Sequence, residues 1–286
     1  MRLGYVVPNS WGVEDPTAVT ALAVAAEERG ADSLWVSHHV LHAGWVSDRL
    51  GDDGPYWDAL TTLAVLATAT TTARLGTSVL VIPYLHPVPT AKAVATIDHL
   101  SGGRLDLGVG VGGLREEHDA IGQVPWERRG RYADEFLDVL RLLWSPGRHS
   151  YAGEFVSFDD VAASPRPVRA DGVPVLVGGR GDAALRRVAK HGQGWQALNA
   201  EPDDLVAPHA QVLGALADAG RSTDGFRFQI RLHIDVDDHD VDAWRGKLDA
   251  YGAAGFDEVL RAPQSGDVDA HRRWLDSVLL ALTKEL

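Results

Sequence analysis

Arg74-Leu75-Gly76-Thr77-Ser78-Val79-Leu80-Val81-Ile82, halted by Pro83, reads as a strand; Pro89 to Leu100 then reads as a helix, and Leu105-Asp106-Leu107-Gly108-Val109-Gly110 as a second strand. A strand, a crossover helix and another apolar strand make one βα repeat of a parallel sheet. Toward the N-terminus the same rhythm gives strands Leu3 to Val7 and Ser33 to Val36. Their helices run from Asp15-Pro16 to Gly30, an N-cap candidate followed by proline, and from Trp57 to Thr70, with a polar, glycine-rich loop over Ser37 to Pro55 between. Toward the C-terminus an amphipathic helix spans Glu127 to Trp144, and strands follow at Val173 to Val177, Trp195 to Leu198, Phe226 to Val236 and Glu258 to Arg261. Helices at Asp182 to His191, Pro202 to Ala219, Val241 to Ala253 and Val268 to Leu282 complete eight units. The prolines, glycines and Tyr-Ala-Gly-Glu-Phe turn over Gly147 to Arg169 predict a hairpin insertion, about 147–169, between the fourth helix and fifth strand. Eight units without a long linker predict a single domain over 1–286, an α/β protein closed as a (β/α)8 TIM barrel; an open doubly wound sheet is the competing architecture.

Composition narrows the function. A formal net charge of −13 over 286 residues disfavours a nucleic-acid or anionic-membrane surface, so neither partner is expected. The absence of cysteine removes disulfides, thiolate metal sites and a cysteine nucleophile. The apolar run at the N-terminus is too short for a signal-peptide core and no long apolar run follows, so a cytoplasmic location is expected.

In a barrel, reactive groups sit on the loops after the strands. Ser37-His38-His39-Val40, with His42 nearby, follows the second strand and offers imidazoles for hydrogen bonding or proton transfer, or merely well-satisfied loop histidines. No acidic partner stands at a zinc-helix spacing from them, so no metal is expected. Gly108, Gly110 and Gly113 formally match a dinucleotide fingerprint, but that motif needs a helix opening inside the glycines and an acidic residue closing a second strand about twenty residues on. Arg131 and Asp134 lie instead in a helix, so the dinucleotide reading fails; close ligand approach and a simple turn both remain open. Gly178-Gly179-Arg180-Gly181-Asp182 leads into a helix, which suits a phosphate or a plain βα turn. Trp11, Trp45, Tyr56 and Trp57 are candidates to line an apolar substrate pocket, or for ordinary packing.

The run Leu75 to Pro83, continued through His86-Pro87 and Thr96-Ile97-Asp98-His99-Leu100-Ser101-Gly102-Gly103-Arg104-Leu105, resembles the luciferase-like monooxygenases. The likeness extends through Gly108 to Gly112, Glu116-Glu117 to Gly122, Arg129 to Glu135, Pro165-Arg166-Pro167 and Gly192-Gln193-Gly194-Trp195, covering roughly residues 1–200. Within that superfamily it looks most like the branch using the deazaflavin coenzyme F-420. The resemblance implies an oxidoreductase moving a hydride between that coenzyme and a small-molecule substrate, and a homodimer. It puts His39 at the active-site histidine and Ser78-Val79 at a non-proline cis peptide supporting the ring. It puts Val111 and Gly112 against the cofactor tail, and Gly178, Gly179, Arg180 and Gly181 at a phosphate-binding turn, with Arg115 and Arg180 compensating the tail's charge. Two departures stand out: His38 occupies a position where many relatives carry an acid near the ring, and Gly113 replaces the acidic catalytic residue of the sugar-phosphate dehydrogenases. The alternatives are an FMN-dependent monooxygenase fed by a separate flavin reductase, and a non-catalytic flavin-binding barrel.

Overall fold

Runs in which nearly every residue is apolar face water on neither side, and here they become parallel strands covered within and without. In the computed structural model of the protein, which describes residues 1–284, the chain begins β1 (Arg2–Val6), α1 (Pro16–Glu28), β2 (Ser33–Val36), α2 (Trp45–Leu50) and α3 (Ala59–Ala69). β3 (Arg74–Thr77), β4 (Leu80–Val81), α4 (Pro87–Leu100), β5 (Leu105–Gly110), α5 (Arg115–Ile121) and α6 (Arg129–Trp144) follow. Then come β6 (His149–Ala152), β7 (Ser157–Val161), β8 (Val175–Gly178), α7 (Asp182–His191), β9 (Gly194–Leu198) and α8 (Pro202–Asp218). The chain closes with β10 (Arg227–Ile234), α9 (Val241–Ala253), β11 (Glu258–Pro263), α10 (Val268–Trp274), a π-helical turn over Leu275–Leu279, and α11 (Leu280–Thr283). Glu285 and Leu286, the end of the domain expected over 1–286, lie outside the described residues.

Parallel pairing runs β3-β2-β1-β11-β10-β9-β8-β5, and the ring shuts where Leu75 and Gly76 of β3 meet Leu105 and Asp106 of β5. β3 and β4 occupy one position, β4 rejoining β5 through Leu80 opposite Val109, so the barrel has eight staves. The molecule is a (β/α)8 TIM barrel, not an open sheet. Residues of β6 and β7 form a separate antiparallel ribbon, with Tyr151 opposite Phe158.

Local chemistry moves several boundaries from those read in the sequence. The third strand is not continuous: the Ser78-Val79 peptide is cis and the ladder breaks there. The helix expected from Trp57 starts at Ala59, because the Asp58 carboxylate caps it by accepting the Thr61 amide at 2.7 Å. His86 plays the same part for α4, which therefore begins two residues before Pro89.

Inside the barrel, Trp35 packs in a small cluster with Val6, Leu176, Leu260 and Ala262. The indole needs the space opposite it empty: a Cβ on Gly76 would stand 2.3 Å from its ring. At the amino-terminal mouth the fully buried Asp106 carboxylate takes Arg74 Nε at 2.6 Å and the Arg227 guanidinium at 2.6 and 2.7 Å. Beneath it, Glu27 of α1 accepts the amides of Thr71, Thr72 and Ala73 at 3.0, 2.7 and 2.8 Å, clasping the turn into β3. Breaking a buried pair by removing one partner typically costs about 3–5 kcal/mol. Asp106→Ala should therefore lower urea stability by about 3 kcal/mol; an unchanged midpoint would show that the pairs contribute nothing.

Candidate active site

At the carboxyl ends of the strands a cavity of about 460 Å³ opens, within the range of small-molecule sites. It gathers His38, His39, Ser78, Val111, Gly112, Gly178 and Gly179 from the residues singled out in the sequence. Arg180 and Gly181 are not among its lining: Gly181 caps α7, and exposed Arg180 reaches the Leu198 carbonyl at 3.2 Å. Arg115 is also outside, held between Asp119 and Glu127 on α5. Trp11, Trp45 and Tyr56 line the cavity, whereas Trp57 does not, its indole being engaged with the Val13 carbonyl at 2.9 Å.

One wall is built of glycines packed against the valines of the broken strand. Val79, on the cis peptide, faces Gly110 and Gly178, where added Cβ atoms would come within 2.7 and 3.1 Å of its side chain. Gly112 has φ +74° and an added Cβ there would stand 2.8 Å from Val81, so both conformation and space call for glycine. A flat group can lie along such a wall at van der Waals distance.

The same cavity holds two imidazoles in different states. His38 is 4% exposed, and its Nδ1 accepts the Val81 amide at 3.0 Å, so the ring proton resides on Nε2. Burial pushes its pKa down to about 4, with Asp58 and Glu117 opposing weakly. His39 has an opposite arrangement. Its Nδ1 lies 2.5 Å from Oε2 of Glu117, whose side chain is wholly buried and whose Oε1 accepts the amides of Val40 and Leu41 at 2.6 and 3.0 Å. Burial alone would raise the Glu117 pKa, but the bonds from His39 and the two amides outweigh it and hold the carboxyl below its ordinary value. An ionised carboxylate only accepts, so the Nδ1 of His39 carries its proton and Nε2 is the position left for exchange. Nε2 has no partner among the described residues, and Trp45 and Tyr56 meet the ring edge-on at 5.0 and 5.6 Å.

Ser78 is held twice. Its carbonyl accepts from Arg231 and its hydroxyl donates to Gln196 at 2.7 Å. Arg231 also donates to Ser37 Oγ at 2.9 Å, and burial lowers its pKa to about 10. Glu117, Gln196, Arg49 and Arg231 were given no role in the sequence: Glu117, Gln196 and Arg231 come from elements far from the histidines, and Arg49 from the short helix in the loop that follows them.

The luciferase-like monooxygenase model matches residues 1–279, and the chain belongs to that family. It is thus an enzyme of the oxidoreductase or monooxygenase kind. It is 32% identical over 235 residues to a coenzyme F-420-dependent glucose-6-phosphate dehydrogenase of Nakamurella multipartita, covering 78% of this chain and 64% of that one. It is 30% identical over 247 residues to a 4-hydroxyprotoasukamycin monooxygenase of Streptomyces nodosus subsp. asukaensis, covering 81% and 64%. The chain therefore spans less than two thirds of either relative. The solved structure of a coenzyme F-420-dependent secondary alcohol dehydrogenase with an F-420-acetone adduct shares the fold, with TM-score 0.80, 18% identity and 98% of each chain covered.

Two outcomes follow for the histidines. An unfolded histidine gains its proton near pH 6.5 while His38 resists protonation until about pH 4, so the folded form loses stability as pH falls through that window and nothing above it. The His38 ring signal in NMR should accordingly stay neutral down to pH 5; titration near 6.5 would contradict the burial argument. Glu117→Ala strips three donors of their acceptor, which should cost about 3 kcal/mol in denaturant melts and convert His39 from a pure Nδ1-H tautomer to a mixture by ¹⁵N shifts. An unaltered tautomer would dismiss Glu117 as its positioning residue.

Proposed function

We propose that the protein transfers a hydride between coenzyme F-420 and a small organic substrate in this cavity. The observation that carries the reading is that one cavity brings together the glycines around the cis peptide at Val79 and a histidine whose Nδ1 is committed to Glu117. The fit to a planar tricyclic ring rests on that glycine wall, where a Cβ added at Gly110 or Gly112 would collide with Val79 or Val81 and force the lining to shift. Ser78, Val79, His38, Val111 and Gly112 would hold the ring and the start of its tail. Gly178 and Gly179 would lead the tail out to the amides that open α7, where Arg180 adds a cation.

When bound, the deazaflavin supplies a ring carbon that gives or takes a hydride. The protein's residues do the rest. Neutral His38 offers an Nε2 donor to a ring acceptor and, staying uncharged, adds no cation beside the ring. His39 moves the accompanying proton at Nε2, its ring orientation kept by Glu117 and by the indole of Trp45. Trp11, Trp45 and Tyr56 exclude water from the substrate side.

The test is an anaerobic titration of the full chain with coenzyme F-420 and, separately, FMN, followed by ring fluorescence. Saturable binding of coenzyme F-420 is expected; tight binding of FMN alone would replace this reading with an FMN-dependent monooxygenase served by a reductase. In turnover of any compound that bleaches or restores the ring absorbance, His39→Ala should slow the reaction about 10²-fold or more while the coenzyme still binds. Full activity in that variant would remove His39 from the chemistry.

A further inference from the structure

The cavity's own lining carries cations but no carboxylate, inside an acidic protein; the nearest carboxylate the site uses, Glu117, lies behind it and is committed to His39 and two backbone amides. The lining holds two arginines, Arg49 and Arg231, and no aspartate or glutamate among the described residues, although the chain carries a net charge of −13. Neither guanidinium has a carboxylate partner. Arg231 is buried, with two of its nitrogens donating to neutral acceptors, the Ser78 carbonyl and the Ser37 hydroxyl, while its Nε is shut away with no partner. Arg49, from α2, donates Nη2 to the Ser10 carbonyl at 2.8 Å and likewise leaves a buried Nε unpaired. Its guanidinium lies 3.8 Å over the Trp11 ring and 4.8 Å from the Trp45 ring, so it is stacked into the cavity wall and not splayed into solvent. The charges are close enough to feel each other: after burial, Arg49 helps lower Arg231, and both lower His233 at the same wall.

A buried Arg231 and a half-buried Arg49, neither with a carboxylate partner, oppose folding, and an incoming anion would relieve that opposition. A guanidinium matches a carboxylate in shape and hydrogen-bonding geometry, and the indoles beside Arg49 favour a flat apolar body. We propose that the substrate is a carboxylate, its anionic end meeting Arg49 in a field reinforced by Arg231 and its apolar part lying against Trp11 and Trp45. This rests on the cavity being the catalytic site proposed above.

The probes are benzoate and its neutral counterpart benzamide, titrated calorimetrically into the full chain with and without saturating coenzyme F-420. Benzoate should bind about tenfold or more tightly than benzamide, and added salt should weaken benzoate only. Arg49→Gln, with unchanged circular dichroism and unchanged coenzyme affinity, should bring the two probes to within about twofold. Equal affinities in the parent protein, saturation by neither probe, or discrimination that survives Arg49→Gln would each overturn the assignment. So would a loss of discrimination accompanied by loss of coenzyme binding, since Arg49 would then serve the cofactor. If coenzyme F-420 fails to bind but benzoate is still preferred, the cofactor reading falls and the carboxylate assignment stands.

Discussion

A single buried carboxylate sets the direction of the hydrogen bonds that cross the barrel. Glu258 accepts from Ser33 on one oxygen and from Gln229 at 2.6 Å on the other. Gln229 in turn accepts from Gln196 at 3.1 Å, and Gln196 from Ser78 at 2.7 Å. Every link donates toward Glu258, so the proton of Ser78 is committed inward and its lone pairs are left for the cavity. Burial raises the Glu258 pKa while Ser33 and Gln229 oppose that rise. Buried away from the surface, each amide satisfies its neighbour, and a break in the chain would orphan a polar group. The chain of amides thus delivers order from the amino-terminal mouth to the cis peptide in the cavity wall.

Much of this architecture was legible in the sequence because βα alternation is a local signal. Apolar runs, an Asp-Pro opening before α1 and proline after the third strand each depend on a few neighbouring residues, and all found their elements. The break within the third strand is invisible to periodicity, since Thr77, Ser78 and Val79 all favour extended backbone; only the family resemblance pointed there. Helix starts shifted where a side-chain cap beat the apolar pattern, as at Asp58.

The site was legible only in part. His38, His39, Ser78, Gly112 and the Gly178-Gly179 turn could be found by their position after a strand or by motif. Glu117 sits in plain view in the sequence, but its partner is 78 residues away, and its significance arises from barrel closure alone. Arg231 similarly reaches Ser78 across 153 positions. Arg180 shows the opposite case: its motif was evident, and the turn carries it outside the cavity's lining to the surface.

The clasp of Glu27 on three consecutive amides, together with the doubly paired Asp106, leaves the amino-terminal rim with its polar groups answered by the chain itself. At the opposite rim, Arg49 and Arg231 have no carboxylate partner among the described residues. The scaffold is therefore secured without help from whatever enters the open end, and the upper loops are free to diverge in what they recognise while the lower turns must keep their wording.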